Sequence, residues 1–202
     1  QGYAADITRT FPVSGKFSAT QRAVYDIVLA AQEAAVAQTV SGASFDAGHQ
    51  AAVKVLAQGL IDLGLLKGGL DEVLETRSYS RFYMHRTGHW LGMDVHDVGD
   101  YRQPSRWQSW EHLRMSQHQQ KQKKQPDQDS QTQNQSEIRR LEIGMVLTIE
   151  PGLYIRPADD VPREFWDIGI RIEDDAIVTA RGAELASRGV PVRADEIEAL
   201  MS

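Results

Sequence analysis

His85-Arg86-Thr87-Gly88-His89-Trp90-Leu91-Gly92-Met93-Asp94-Val95-His96-Asp97 sets three imidazoles and two glycines within thirteen residues. Histidine is the commonest neutral metal ligand and titrates near physiological pH. The cluster therefore points to a metal, to proton transfer, or to both. A glycine costs about 1 kcal/mol inside a helix. Gly88 and Gly92 thus favour a backbone that bends tightly or lets a ligand approach closely. The competing reading is a surface helix carrying His85-x-x-x-His89, or core histidines with local partners.

Acidic motifs elsewhere weigh against that second reading. They are Ala5-Asp6-Ile7-Thr8-Arg9-Thr10, Thr148-Ile149-Glu150-Pro151-Gly152 and Gly169-Ile170-Arg171-Ile172-Glu173-Asp174-Asp175. Taken singly, each would be surface charge. Glu150, however, ends an apolar run of Met145, Val146, Leu147 and Ile149 that belongs inside. A bare carboxylate there needs a compensating cation, because burying an unpaired charge is very costly. Glu173, between Ile172 and the Ala176-to-Val178 strand, has the same need. Carboxylates with one imidazole make a hard, oxygen-rich donor set. Two cations about 3.5–4 Å apart could share a bridging hydroxide there and attack an amide or ester.

Composition narrows the choices. The chain has 202 residues, enough for one well-buried domain. It has no cysteine, so disulfides and thiolate metal sites are excluded. Its formal net charge of -6 gives no reason to expect nucleic acid. No apolar run reaches the roughly 20 residues a bilayer requires, and no signal peptide is visible, so no membrane partner and a cytoplasmic location are expected. The first residue is Gln1 rather than Met. This suggests a fragment or a processed product.

Residues 1 to 13 alternate as a strand, with Asp6, Thr8 and Thr10 on one face. Pro12 and Ser14-Gly15 end it. Ser18 and Gln21 form a capping box for a helix with Val24, Ile27, Val28, Ala31 and Ala35 inward. Val40-Ser41-Gly42 breaks that helix. A second helix follows Ser44, with Val53, Leu56, Leu60 and Leu63 inward and Gly64 as its stop. A short helix covers Leu70 to Glu75. Beyond Tyr79, strands are expected at Met145 to Glu150, ended by Pro151-Gly152, at Ile168 to Glu173, and at Ala176 to Thr179. A terminal helix covers Ala194 to Met201. Residues 102 to 140 are Gln-rich with few apolar side chains, too few to offset chain entropy. They read as a disordered insertion, a solvated arm or a weak anion-binding one, with one helical turn at Trp107, Trp110 and Leu113. The domain is thus residues 1–202, interrupted by that insertion.

In this order, the motifs resemble those of the pita-bread metallopeptidases, in particular the Xaa-Pro aminopeptidase (aminopeptidase P) family, with prolidase as close kin. The His85-to-Asp97 run is similar to the proline-peptidase signature along its length. Gly2-Tyr3-Ala4-Ala5-Asp6-Ile7-Thr8-Arg9-Thr10-Phe11-Pro12-Val13 and the tail Asp195-Glu196-Ile197-Glu198-Ala199-Leu200-Met201 resemble the bacterial form. The resemblance implies an α+β pita-bread fold, a curved and mostly antiparallel sheet with helices on its outer face. It implies two divalent metal ions, with manganese favoured, bound by Asp6, His89, Glu150 and Glu173. Glu150 would also handle the proton of the attacking water. His85 and His96 would contact the substrate carbonyl and the tetrahedral intermediate, and Arg171 would organise the carboxylates or the substrate end. Tyr154 is a weaker candidate for support. The implied substrates are peptides with proline at position two.

The resemblance also implies a further metal-binding Asp upstream of Asp6 and an N-terminal domain. This chain contains neither, so it is expected to be weakly active or inactive alone, and the full-length protein to be a homo-oligomer. Alternatives are a prolidase-type dipeptidase, a metal-free enzyme like creatinase, or a non-catalytic pita-bread module. Methionine aminopeptidase fits the His85, His89 and His96-Asp97 spacing less well.

Overall fold

The computed structural model describes residues 2–103 and 138–202. The chain divides into two compact units, residues 1–99 with 140–202, and residues 100–139. In the second unit, Arg102 bridges Ile138 in antiparallel fashion and the Arg139 N–H donates to the Tyr101 carbonyl at 3.0 Å. The expected helical turn at Trp107, Trp110 and Leu113, and nearly all of the expected disordered arm, lie outside the described residues. Among the described residues no helix is long and apolar enough to cross a membrane.

In the first unit, α1 (Ala19–Gln38) starts at Ser18 with the expected capping box. Ser18 Oγ accepts the Gln21 N–H at 3.1 Å, and Gln21 Oε1 accepts the Ser18 N–H at 2.9 Å. Helix α2 (Asp46–Asp62) packs along α1. Their contact is close at Gly59, where any Cβ would collide with the Ile27 side chain. Gly64, at φ +72, stops α2 as expected. Helix α3 (Leu70–Thr76) and a 3-10 turn (Ser78–Arg81) lead to the His85 segment.

Seven short strands follow: β1 (Leu91–Gly92), β2 (Val95–His96), β3 (Val146–Ile149), β4 (Gly152–Ile155), β5 (Ile168–Arg171), β6 (Asp174–Thr179) and β7 (Gly182–Leu185). All named pairings are antiparallel: β1–β2, β4–β5, and β3–β6–β7 in that order. Helix α4 (Ala194–Leu200) closes the chain. Helix α1 packs against β3, β4, β5 and β7. The core between helices and strands includes Val24, Val28, Leu56, Leu60, Leu153, Ile155 and Ile172.

One expectation is corrected. Residues 2–13 form no full strand, and only Thr8 bridges, to Glu173. Side chains replace the ladder on either side of that pair. The Asp6 N–H donates to the Asp175 carboxylate, and Thr10 Oγ1 donates to the Arg171 carbonyl at 2.9 Å. Pro151-Gly152 ends β3 as expected, and the chain then turns into a separate strand pair. Gly152 opens β4, where a Cβ would lie 2.8 Å from the Ile170 carbonyl, so the glycine permits close strand pairing.

Candidate metal centre

Register brings distant residues to one place. The Ile149–Asp174 pair at the end of β3 and β6 sets Glu150 beside Glu173. The Thr8–Glu173 bridge, together with the Asp6 N–H on the Asp175 carboxylate, carries Asp6 to the same side. The Trp90–Leu147 bridge and the Thr148 N–H, which donates to the His89 carbonyl at 2.9 Å, lay the His89 segment along β3. Gly88 is required for this approach. A Cβ there would sit 2.0 Å from the Thr148 carbonyl oxygen.

His89 is buried at the centre. Its Nδ1 lies 3.0 Å from the Trp90 carbonyl, which only accepts, so Nδ1 carries the proton and Nε2 the lone pair. Nε2 is 3.3 Å from Asp6 Oδ2 and 3.5 Å from Glu150 Oε1, yet it has no hydrogen-bond partner. Close as they are, these contacts are not hydrogen bonds, because with the proton on Nδ1 no hydrogen lies between Nε2 and the carboxylate oxygens. A lone pair facing carboxylate oxygens gains nothing without a cation between them. His89, Glu150 and Glu173 bring ligand atoms within 4.8 Å of one another, and so do Asp6, His89 and His96. This donor set fits divalent metal.

The electrostatics say the same. Glu173 is 1% exposed, and its carboxyl is raised from the usual 4.5 to about 7, mainly by burial. The Thr8 hydroxyl, donating to Glu173 Oε2 at 2.5 Å, opposes that rise; the charges of Glu150 and Asp6 reinforce it; Arg171 opposes it. Asp175 is also raised, first by burial. Too many carboxylates share this space to remain ionised without a counter-charge.

The remaining predicted residues surround this centre. His96 is exposed and stacks on His89 with ring centroids 3.9 Å apart. It lies closer to the donor cluster than a purely substrate-facing residue needs. His85 is farther out, with Nε2 2.8 Å from the Tyr154 hydroxyl and Nδ1 2.8 Å from the Arg86 carbonyl. Arg171 Nε–H donates to Thr8 Oγ1 at 3.2 Å and lies 3.8 Å from Glu173 Oε2.

A profile of metallopeptidase family M24 matches residues 1–180. The chain belongs to that family. Over 200 residues this M24 chain is 43% identical to the Xaa-Pro aminopeptidase of Haemophilus influenzae, spanning 99% of the chain and 39% of that relative. It superposes on Pseudomonas aeruginosa aminopeptidase PepP with a TM-score of 0.82 at 44% identity, over 99% of the chain and 38% of that structure. It superposes on zinc-substituted Escherichia coli aminopeptidase P in complex with product with a TM-score of 0.79 at 42% identity, again over 99% and 38%. The M24 chain thus spans less than two fifths of these proteins' length. Its fold is the expected α+β pita-bread fold.

Sequence reasoning missed several supports of the M24 site. Asp174 is fully buried and accepts from Arg9, Gln32 and Ser187, with Arg188 3.2 Å away. This network fastens the segment that carries Asp6. The signal was present in Glu173-Asp174-Asp175, where three consecutive acids cannot all face one way. Thr148, donating to Glu150 Oε1 at 3.3 Å and accepting the His89 N–H at 3.1 Å, carried no sequence signal.

Proposed function

We propose that the chain is the metal-binding catalytic part of an Xaa-Pro aminopeptidase, releasing the N-terminal residue of a peptide whose second residue is proline. The observation that carries this is His89 Nε2, buried without a hydrogen-bond partner against the carboxylates of Asp6 and Glu150. The likeness to Xaa-Pro aminopeptidases at 42–43% identity supports the substrate class. Asp6, His89, Glu150 and Glu173 would hold two divalent cations. Their oxygen-rich set suits manganese. Bound cations would polarise the scissile carbonyl and make a water nucleophilic at neutral pH.

The chain's own groups do the rest. Glu150 Oε1 accepts the proton of the attacking water and passes it to the departing proline nitrogen, a step worth about 10²–10⁴-fold. His96, exposed at the rim, faces the developing oxyanion. His85 is held by Tyr154 and lines the substrate side. Arg171 steadies the Thr8–Glu173 pair. An Xaa-Pro bond has no N–H. A site that reads the free amine, the carbonyl and the ring does not need one. The full-length protein is proposed to act as a homo-oligomer.

The test is cleavage of paired Xaa-Pro and Xaa-Ala tripeptides and Xaa-Pro dipeptides by the chain and its full-length parent, with Mn²⁺ and after chelation. The proposal expects Mn²⁺-dependent cleavage of Xaa-Pro tripeptides by the parent. Metal-independent turnover would support a creatinase-like route. Dipeptide-only cleavage would support prolidase. No cleavage by either form would refute the proposal.

A further inference from the structure

The segment 87–89 touches β3 on one side and a second hydroxyl–imidazole cluster on the other. Thr87 is 4% exposed. Its Oγ1 lies 2.8 Å from His49 Nδ1, on α2, and 2.6 Å from the hydroxyl of Tyr83, a fully buried side chain. On the opposite side the Thr87 carbonyl accepts the Glu150 N–H at 2.7 Å. Thr87 therefore links the helical layer to the strand end that carries Glu150. The neighbouring tie to α2, the Arg86–Asp46 ion pair, has Arg86 56% exposed and contributes little.

The Thr87 hydroxyl hydrogen-bonds both the Tyr83 hydroxyl and a neutral His49 Nδ1. Burial and then the Arg86 charge hold that imidazole down at about 4. Beside Thr87 lies a cavity of about 20 Å³, room for roughly one water. Deleting the His49 ring would enlarge it and admit solvent, so isosteric changes are the cleaner probe.

We propose that His49 and Tyr83 are positioning residues that act through the Thr87 hydroxyl to hold His89 in register with Glu150. The metal-affinity part rests on the peptidase reading above; the positioning part does not. Changes to groups that orient metal ligands cost about 10–100-fold in metal affinity.

The experiment compares Tyr83→Phe, Thr87→Val, Thr87→Ser, His49→Leu and His49→Asn with the wild-type chain. In chelated protein, amide hydrogen exchange at Thr148 and Glu150 should speed up about tenfold in Thr87→Val and His49→Leu, while core amides of α1 stay protected. Thr87→Ser should restore wild-type exchange, and His49→Asn should recover part of it by offering a hydrogen-bonding group near the Nδ1 position. By calorimetry, Mn²⁺ affinity should fall about 10–100-fold in Tyr83→Phe and Thr87→Val and be retained in Thr87→Ser. Unchanged exchange at Glu150 in Thr87→Val would overturn the proposal. So would exchange that rises equally throughout the core, or failure of Thr87→Ser to rescue. A wild-type chain that binds no Mn²⁺ would overturn the assignment of Asp6, His89, Glu150 and Glu173 as metal ligands, and the exchange arm would still decide the positioning.

Discussion

Replacing Glu173 with Gln should stabilise the metal-free protein, and the gain should grow with pH. The reason lies in its raised carboxyl. Unfolded, Glu173 ionises near 4.5; folded, near 7. The folded state therefore binds this proton more tightly than the unfolded state does. Below the unfolded value both states are protonated and nothing is lost. As pH rises from 4.5 to about 7 the unfolded state gains by ionising first, so stability falls; above 7 the penalty is complete. At about 1.4 kcal/mol per pH unit, the interval amounts to about 3 kcal/mol. Glu173 is 1% exposed, so solvent screening takes little from this figure. Gln keeps an acceptor for the Thr8 hydroxyl and cannot ionise. Urea unfolding of chelated wild type and Glu173→Gln, at about pH 5 and about pH 8, measures it. The variant's advantage should be at least about 2 kcal/mol larger at the higher pH. Added Mn²⁺ should reverse the order, because it stabilises only the protein that binds it. A difference that stays constant between the two pH values would refute the reasoning.

Four further outcomes follow from the geometry. His89→Ala should abolish metal uptake, whereas His96→Ala should retain most of the metal and lower turnover of the full-length protein about 10²–10³-fold; equal metal loss in both would merge their roles. Gly88→Ala should cost about 3 kcal/mol or more and lose metal, because its Cβ would meet the Thr148 backbone carbonyl rather than a side chain that can move; unchanged thermal unfolding would contradict the placement of that segment. Asp174→Ala should cost about 3–5 kcal/mol by leaving Arg9 and Arg188 without their buried partner. By contrast, removing the exposed Arg22–Asp26 pair should change urea stability by less than about 0.5 kcal/mol.

Local signals were the ones the sequence carried well. The Ser18–Gln21 box, the Gly64 stop and the apolar stripe of α1 depend on neighbours within one or two turns. They appear where the periodicity predicts them, although Ile27 and Leu63 are only half-buried. The strand expected at residues 1 to 13 failed because Asp175 and Thr10 side chains take backbone bonds that alternation alone assigns to a ladder. Strand β4 was hidden behind Pro151-Gly152, and β7 carries too little apolar alternation to be seen. His49, Thr87 and Tyr83 gave no sign of working together, since the hydroxyl that joins them is an ordinary Thr until α2 is packed beside it.

The residue types and their order were set by the sequence itself. It supplied imidazoles without thiols, acids that end apolar strands, and glycines where side chains could not fit. The tertiary structure alone decided that Asp6, His89, Glu150 and Glu173 share one space, and which nitrogen of His89 faces it. Those facts depend on the pairing of Thr8 with Glu173 and of Ile149 with Asp174. Register between strands more than 20 residues apart is fixed by packing and backbone hydrogen bonds, which no local pattern encodes.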